Sequence, residues 1–264
     1  MEKYTNFKKK YGQNFLTDKN LLSAIVRDAG VTENDDVLEI GAGEGALTLA
    51  LSETAKKVVS YEIDTELKSF LDEKFKNKSN VNIIFSDALK TDINKIEHDF
   101  ANSYKLVANI PYYITTPLIF KFLETASKIT SMTLMVQKEV AERICAKPDT
   151  EEYGALSAIC QNFCDCKIMR IVNKKMFKPV PKVDSAIINL KIIKKFDKNY
   201  ADIVRMAFVM RRKTLYNNLH KGLNLQSEKL IKIFNECNFD LKVRAEDLSC
   251  GQFECLLNAI NSTK

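Results

Sequence analysis

The sequence predicts an α/β chain: a mostly parallel sheet with an antiparallel edge and helices on both faces, followed by a small all-helical C-terminal domain. Three observations lead there. Short apolar runs alternate with helical patterns as far as Lys138, the order that gives parallel strands joined by crossover helices. Lys167 to Val172 and Ser185 to Ile193 read as strands with no helix between them, which suggests an antiparallel hairpin at the sheet's edge. From residue 199 to 264 the pattern is helical with little strand signal. The boundary falls near Lys195, giving domains 1–194 and 195–264.

Val37-Leu38-Glu39-Ile40 is the first strand and runs into Gly41-Ala42-Gly43-Glu44-Gly45, a turn that opens a helix. Lys57 to Ile63 is the second strand, and Asp64 after it is a good helix N-cap. Val81 to Phe85 is the third and Lys105 to Ala108 the fourth. Pro111 has no N–H to give a sheet, so the fourth strand stops before it. Thr115 to Ser127 is helical, Met132 to Gln137 is the fifth strand, and another helix starts at about Lys138.

Composition limits the setting. The chain has 264 residues, 45% hydrophobic and 28% charged, which is ordinary for a globular protein. No apolar stretch has membrane-spanning length. The opening Met1 to Lys10 has the charge of a signal peptide without an apolar run behind it. Seven cysteines fit no closed disulfide framework, so a reducing cytoplasm is the simplest setting. The net charge of +6 permits a nucleic-acid partner without requiring one. Cys160, Cys164 and Cys166 have no matching pair or histidine at zinc spacing, so no metal is expected.

Ligands of such sheets bind at the carboxyl ends of the strands, and four features fall there. The glycines of residues 41–45 let the backbone turn tightly and approach a ligand, although a plain strand-to-helix turn has the same pattern. Glu62 ends the second strand, 21 positions after Gly41, where an acid typically accepts hydrogen bonds from ribose hydroxyls. The alternative is a surface glutamate. Asp87 can accept from the exocyclic amine of a purine or simply cap the next turn. Asn109 and the backbone carbonyl of Ile110 are two acceptors, Pro111 fixes the turn, and Tyr112 offers a ring face. Together these suit a planar base that carries an amine.

Asn109-Ile110-Pro111-Tyr112-Tyr113 resembles the Asn-Pro-aromatic signature of amino-group methyltransferases, and Gly41 to Gly45 resembles their first cofactor loop. Gly12-Gln13-Asn14-Phe15-Leu16, the stretch Phe177-Lys178-Pro179-Val180-Pro181-Lys182-Val183-Asp184-Ser185, and Arg211-Arg212-Lys213-Thr214-Leu215 with Asn217-Asn218-Leu219 are similar, in order, to motifs of the ribosomal RNA adenine dimethyltransferases. The resemblance runs nearly end to end. Tyr216 departs from it, standing where the family motif has an arginine.

The resemblance implies a Rossmann-like class I methyltransferase sheet and S-adenosylmethionine as cofactor, with Asn14, Leu16, Gly41, Glu62, Asp87 and Asn109 lining its pocket. It implies dimethylation of two adjacent adenosines in the 3′-terminal hairpin loop of 16S rRNA. The setting would be the immature small ribosomal subunit, in the cytoplasm, by a monomer with no membrane association and a role in subunit biogenesis. Asn109, Ile110, Pro111 and Tyr112 are the expected catalytic stretch. Tyr112 and Phe177 are the expected stacking faces for the flipped base, though an F-x-P-x-P loop can also bury its aromatic. Lys178, Lys182, Arg211, Arg212 and Lys213 are expected to contact RNA, with Arg–acid pairing as the alternative for the arginines. Two other readings stay open: methylation of large-subunit 23S rRNA, as by the macrolide-resistance enzymes, and a non-catalytic assembly factor with a vestigial pocket.

Overall fold

A computed structural model describes residues 15–16 and 18–263. Asn14, with Gly12 and Gln13 of its motif and the basic Lys8-Lys9-Lys10 run, lies outside the described residues. The elements are β1 (Phe15–Leu16), α1 (Lys19–Asp28), β2 (Asp36–Ile40), α2 (Ala46–Ser52), β3 (Lys57–Glu62), α3 (Lys68–Phe75), β4 (Val81–Phe85), α4 (Ile93–His98), β5 (Tyr104–Asn109), α5 (Thr115–Thr125), β6 (Ile129–Gln137), α6 (Lys138–Cys145), α7 (Ala155–Phe163), β7 (Cys164–Val172), β8 (Phe177–Lys178), β9 (Ser185–Ile192), α8 (Lys198–Ala207), α9 (Leu215–Leu223), α10 (Ser227–Glu236) and α11 (Cys250–Ser262).

The main sheet has the order β4-β3-β2-β5-β6-β9-β7. β2 pairs in parallel with β3 and β5, β3 with β4, and β5 with β6. β9 runs antiparallel to β6, and β7 lies beyond it at the edge. All five residues of β2 are buried, as a central strand with both faces covered requires. Asp64 caps the turn after β3, accepting from the Glu66 N–H at 3.2 Å. A short 3₁₀ turn, Thr65–Leu67, intervenes before α3.

The chain forms two compact units, one of Met1–Ala141 with Lys167–Ile192 and one of Glu142–Cys166 with Ile193–Lys264. The break at Ile192/Ile193 falls beside the expected boundary near Lys195, and the second unit takes in one earlier segment as well. The segment 142–166 belongs with the C-terminal helices, because α7 buries Ala158, Ile159, Cys160 and Phe163 and packs against α8 and α11. Phe163 meets Tyr200 edge-on, Tyr200 meets Phe253 the same way, and Phe253 reaches Phe208. Edge-to-face pairs of this kind add to the burial of their rings. Tyr153 lies fully buried among them and donates its hydroxyl to the Leu248 carbonyl at 2.8 Å.

In the same unit, Arg211, Arg212 and Lys213 occupy the turn between α8 and α9 rather than a helix. Buried Asn218 staples that turn. Its Nδ2 donates to the carbonyls of Ala207 at 2.7 Å and Met210 at 3.2 Å, and its Oδ1 accepts from the Met210 N–H. Arg211 donates to the carbonyls of Glu151 at 2.8 Å and Tyr153 at 3.2 Å and lies 3.7 Å from Glu246. These contacts all use Nη2, and the side chain stays half exposed. Arg212 and Lys213 are exposed.

Candidate active site at the carboxyl edge of the sheet

Strand order reverses at β2, whose neighbours β3 and β5 continue the chain in opposite directions across the sheet. A crevice opens at such a point, at the carboxyl ends of the strands. The loops after β2, β3, β4 and β5 line one cavity there, with Gly41, Glu62, Asp87, Asn109, Ile110, Pro111 and Tyr112 on its wall. Leu16 and Phe177 also border it.

Two glycines of the first loop are required for different reasons. Gly41 has φ +84°, while a Cβ there would meet only the Asn109 carbonyl at 3.7 Å, an ordinary contact. Its backbone angle is the constraint. Gly45 has φ +71° and in addition a Cβ would come within 2.6 Å of the Phe75 ring, so the loop also needs the space. Behind the loop, buried Glu39 accepts from the Thr48 hydroxyl at 2.6 Å and so fixes α2 against β2. Burial pushes the Glu39 carboxyl up to about 7.

Glu62 is 3% exposed yet reaches the cavity. Its Oε2 accepts from the Gly43 N–H and its Oε1 from the Asp64 N–H, both at 2.8 Å. Burial raises its pKa, and these backbone bonds oppose the rise. A carboxylate has about four lone-pair sites, so acceptor capacity remains beyond these backbone bonds. Two vicinal hydroxyls match that arrangement. Asp87 Oδ1 caps its own turn, accepting from the Leu89 N–H at 2.9 Å, and Oδ2 lies 3.7 Å from Lys90. Capping and lining the cavity thus coexist at Asp87.

β5 ends at Asn109, and after Pro111 the chain makes a 3₁₀ turn over Tyr112–Ile114 before α5. The Tyr112 hydroxyl lies 2.8 Å from Ser185 Oγ at the start of β9. Burial raises the Tyr112 phenol. In the sequence Ser185 is only the end of the 177–185 motif; its anchoring of this ring depends on the antiparallel placement of β9.

Phe177 borders the cavity from the core side. It is 1% exposed and belongs to the apolar cluster of Leu16, Leu22 and Met135, the buried placement that an F-x-P-x-P loop also allows, so it forms cavity wall and core together. β8, which carries it, pairs antiparallel with β1, Leu16 opposite Phe177. Lys178 and Lys182 are exposed beyond it.

These residues fit S-adenosylmethionine. The half-spent Glu62 carboxylate suits the ribose diol, Asp87 offers an acceptor beside the apolar Ile63, Ala88 and Leu89, and the Gly41 loop brings backbone close. Among the described residues no cluster of His, Cys, Asp or Glu could hold a metal, and no helix is long and apolar enough to cross a membrane.

Comparison with known proteins gives the family. The family described as ribosomal RNA adenine dimethylase matches residues 4–261. The ribosomal RNA small subunit methyltransferase A of Clostridium acetobutylicum is 45% identical over 98% of this chain and 96% of its own. Its counterpart in Caldanaerobacter subterraneus subsp. tengcongensis is 46% identical over 96% and 97%. Among solved structures, a dimethyladenosine transferase from Plasmodium falciparum superposes with a TM-score of 0.82 at 29% identity, covering 94% of this chain and 98% of that one. The 23S rRNA methyltransferase ErmE superposes at 0.72 with 25% identity, covering 94% and 100%. With its sheet, its cavity and these matches agreeing, the chain belongs to the ribosomal RNA adenine dimethylase family, the S-adenosylmethionine-dependent methyltransferases of rRNA adenine.

Proposed function

We propose that this chain dimethylates the exocyclic amines of two adjacent adenosines in the 3′-terminal hairpin loop of 16S rRNA. One observation carries the reading: the carboxamide of Asn109, the Pro111 turn and the anchored Tyr112 ring share one cavity with Glu62. The relatives named for the small subunit are about 45% identical to this chain, against 25% for the 23S enzyme, which favours the small subunit over the large.

Bound S-adenosylmethionine supplies an electrophilic methyl group. The adenine amine is a poor nucleophile, because its lone pair is delocalised into the ring. Asn109 Oδ1 and the Ile110 carbonyl accept its two N–H groups and hold it out of plane, which frees that pair. Positive charge develops on the amine as the new bond forms, so acceptors placed beside it favour the transition state. As the methyl's bond to nitrogen forms, its bond to sulfur would break and leave a neutral thioether; the extra proton on the amine passes to solvent water, and no strong base is needed before attack. Alignment of the amine with the methyl recovers up to roughly 7–11 kcal/mol of barrier.

The base leaves its stack to enter the site, at a cost of a few kcal/mol that stacking on Tyr112 offsets by about 1–3 kcal/mol. Phe177 adds to the apolar wall. Tyr112→Ala is expected to weaken binding of the flipped base by about that amount, while Tyr112→Phe is mild because the ring face survives. Single-turnover methylation at several RNA concentrations separates the two, and equal behaviour of both variants removes the stacking role.

Lys178, Lys182, Arg212 and Lys213 are the proposed phosphate contacts. Arg211, whose Nη2 already donates to two carbonyls, stays a candidate through its remaining N–H groups and is left out of the variant below. Replacing Arg212 and Lys213 together by alanine is expected to weaken RNA binding and to flatten its salt dependence by about two phosphate contacts, leaving cofactor affinity intact. An unchanged salt slope shows that this turn does not meet phosphate.

Incubation with labelled cofactor and under-methylated small or large ribosomal particles tests the whole reading. Label in 16S rRNA, at two adjacent adenosines, is the expected result; label in 23S rRNA, or none, overturns it. The same assay on immature and mature small subunits tests whether the substrate is an assembly intermediate, as a part in biogenesis requires.

A further inference from the structure

We infer that Lys121 is a positioning residue of this site, tying the cofactor-facing turn after β4 to the helix that continues the amine-holding loop; the inference rests on the methyltransferase reading above. Lys121 lies in α5, which begins at Thr115, directly after the 109–114 stretch. Its ammonium donates to the carbonyls of Ala88 at 2.8 Å and Leu89 at 2.9 Å and to that of Thr91. An ammonium has three N–H donors, so carbonyls of one short turn account for all three.

That turn is otherwise held from within. The Lys90 and Thr91 amides donate to the Asp87 carbonyl at 3.0 and 2.9 Å, and the Thr91 hydroxyl lies 2.9 Å from Ser86 Oγ. Its amides therefore face inward on Asp87, while three of its carbonyls converge on one cation. Asp87, Ala88 and Leu89 form one wall of the cavity, and Asn109 to Ile114 form another. The two walls come from segments about twenty residues apart, and the Lys121 side chain joins the turn that carries the first to the helix that continues the second.

Such a clamp acts by preorganisation. A turn already held in its binding conformation loses less freedom when ligand arrives. Charge-assisted bonds to carbonyls are stronger than neutral ones. Burial lowers the Lys121 pKa, and Asp87 and Asp92 oppose that by favouring the charged form.

Calorimetry with S-adenosylmethionine, single-turnover methylation and amide hydrogen exchange, all on the full chain, test this. Lys121→Met is expected to raise the cofactor Kd about tenfold, the effect of losing roughly one charge-assisted bond's worth of order. It should raise the cofactor KM far more than it lowers kcat at saturation and leave RNA affinity unchanged. Lys121→Arg should recover most of the loss. The Lys90 and Thr91 amides should exchange faster in Lys121→Met than in wild type. A purely structural lysine would lower Tm without moving the Kd of the folded protein, so wild-type Kd in folded Lys121→Met overturns the inference. Should Lys121→Met not accumulate folded, Lys121→Gln, with one amide donor pair, is read by the same criteria. If the wild type itself binds no cofactor, the functional reading fails, and unchanged exchange at residues 90 and 91 separately overturns the clamp.

Discussion

Asn109→Ala is expected to lower the rate of methyl transfer roughly 10²–10³-fold, by analogy with loss of one preorganised oxyanion-hole donor, while RNA affinity changes little. The residue ends β5 at the mouth of the cavity, followed at once by Pro111 and the Tyr112–Ile114 turn. Truncation leaves that backbone in place and removes the carboxamide acceptor. Its effect should therefore fall on the chemical step. Asn109→Asp separates an orienting role from a base role: it keeps an acceptor but adds a charge beside a cationic sulfur, which is expected to tighten cofactor binding and misplace the amine. Single-turnover methylation of pre-bound particles isolates the step. Near-normal transfer by Asn109→Ala would mean that the asparagine only ends a strand.

The parallel strands were legible because each is a short apolar run closed by a turn residue: Gly41 after β2, Asp64 just past β3, Pro111 past β5. Ligand-facing positions follow from that, since a parallel sheet presents its carboxyl ends to one crevice. What a sequence does not display is distance. Gly45 reads as a flexible turn residue, yet the Phe75 ring above it leaves no room for a Cβ. β1 and β8 are two residues each, too short for any periodicity, so nothing local chose between the exposed and the buried alternatives for Phe177. Arg211 sits in a basic run that suggests phosphate, and the carbonyls of Glu151 and Tyr153, sixty and fifty-eight positions away in sequence, hold its Nη2. The same separation hid Ser185 behind Tyr112 and grouped α7 with helices that follow it by more than thirty residues. Each miss is a long-range contact between residue types whose local pattern admits two roles.

Glu62→Ala is expected to cost about 1–3 kcal/mol of cofactor binding, a factor of roughly 10–100 in Kd. Two effects add. The variant loses the acceptors proposed for the ribose diol, and it leaves the Gly43 and Asp64 N–H groups without their carboxylate partner, loosening the loop that approaches the ligand. Calorimetry with S-adenosylmethionine measures the first, and thermal unfolding without ligand measures the second; a wild-type Kd would remove Glu62 from the site. Acid sharpens the test, because the two roles of this carboxyl have opposite pH dependence. Its folded pKa is raised above the ordinary glutamate value, chiefly by burial. The folded protein therefore holds a proton that the unfolded chain has already released, so the stability this group contributes is present below the ordinary glutamate pKa and lost as pH rises through the folded one. Cofactor binding uses the ionised form, whose oxygens all accept. Lowering the pH should weaken wild-type cofactor affinity, beginning above the usual glutamate range, while the Glu62 contribution to stability grows. In Glu62→Gln, which cannot titrate, that acid-dependent loss of affinity should vanish, and its persistence would assign the pH dependence to another group.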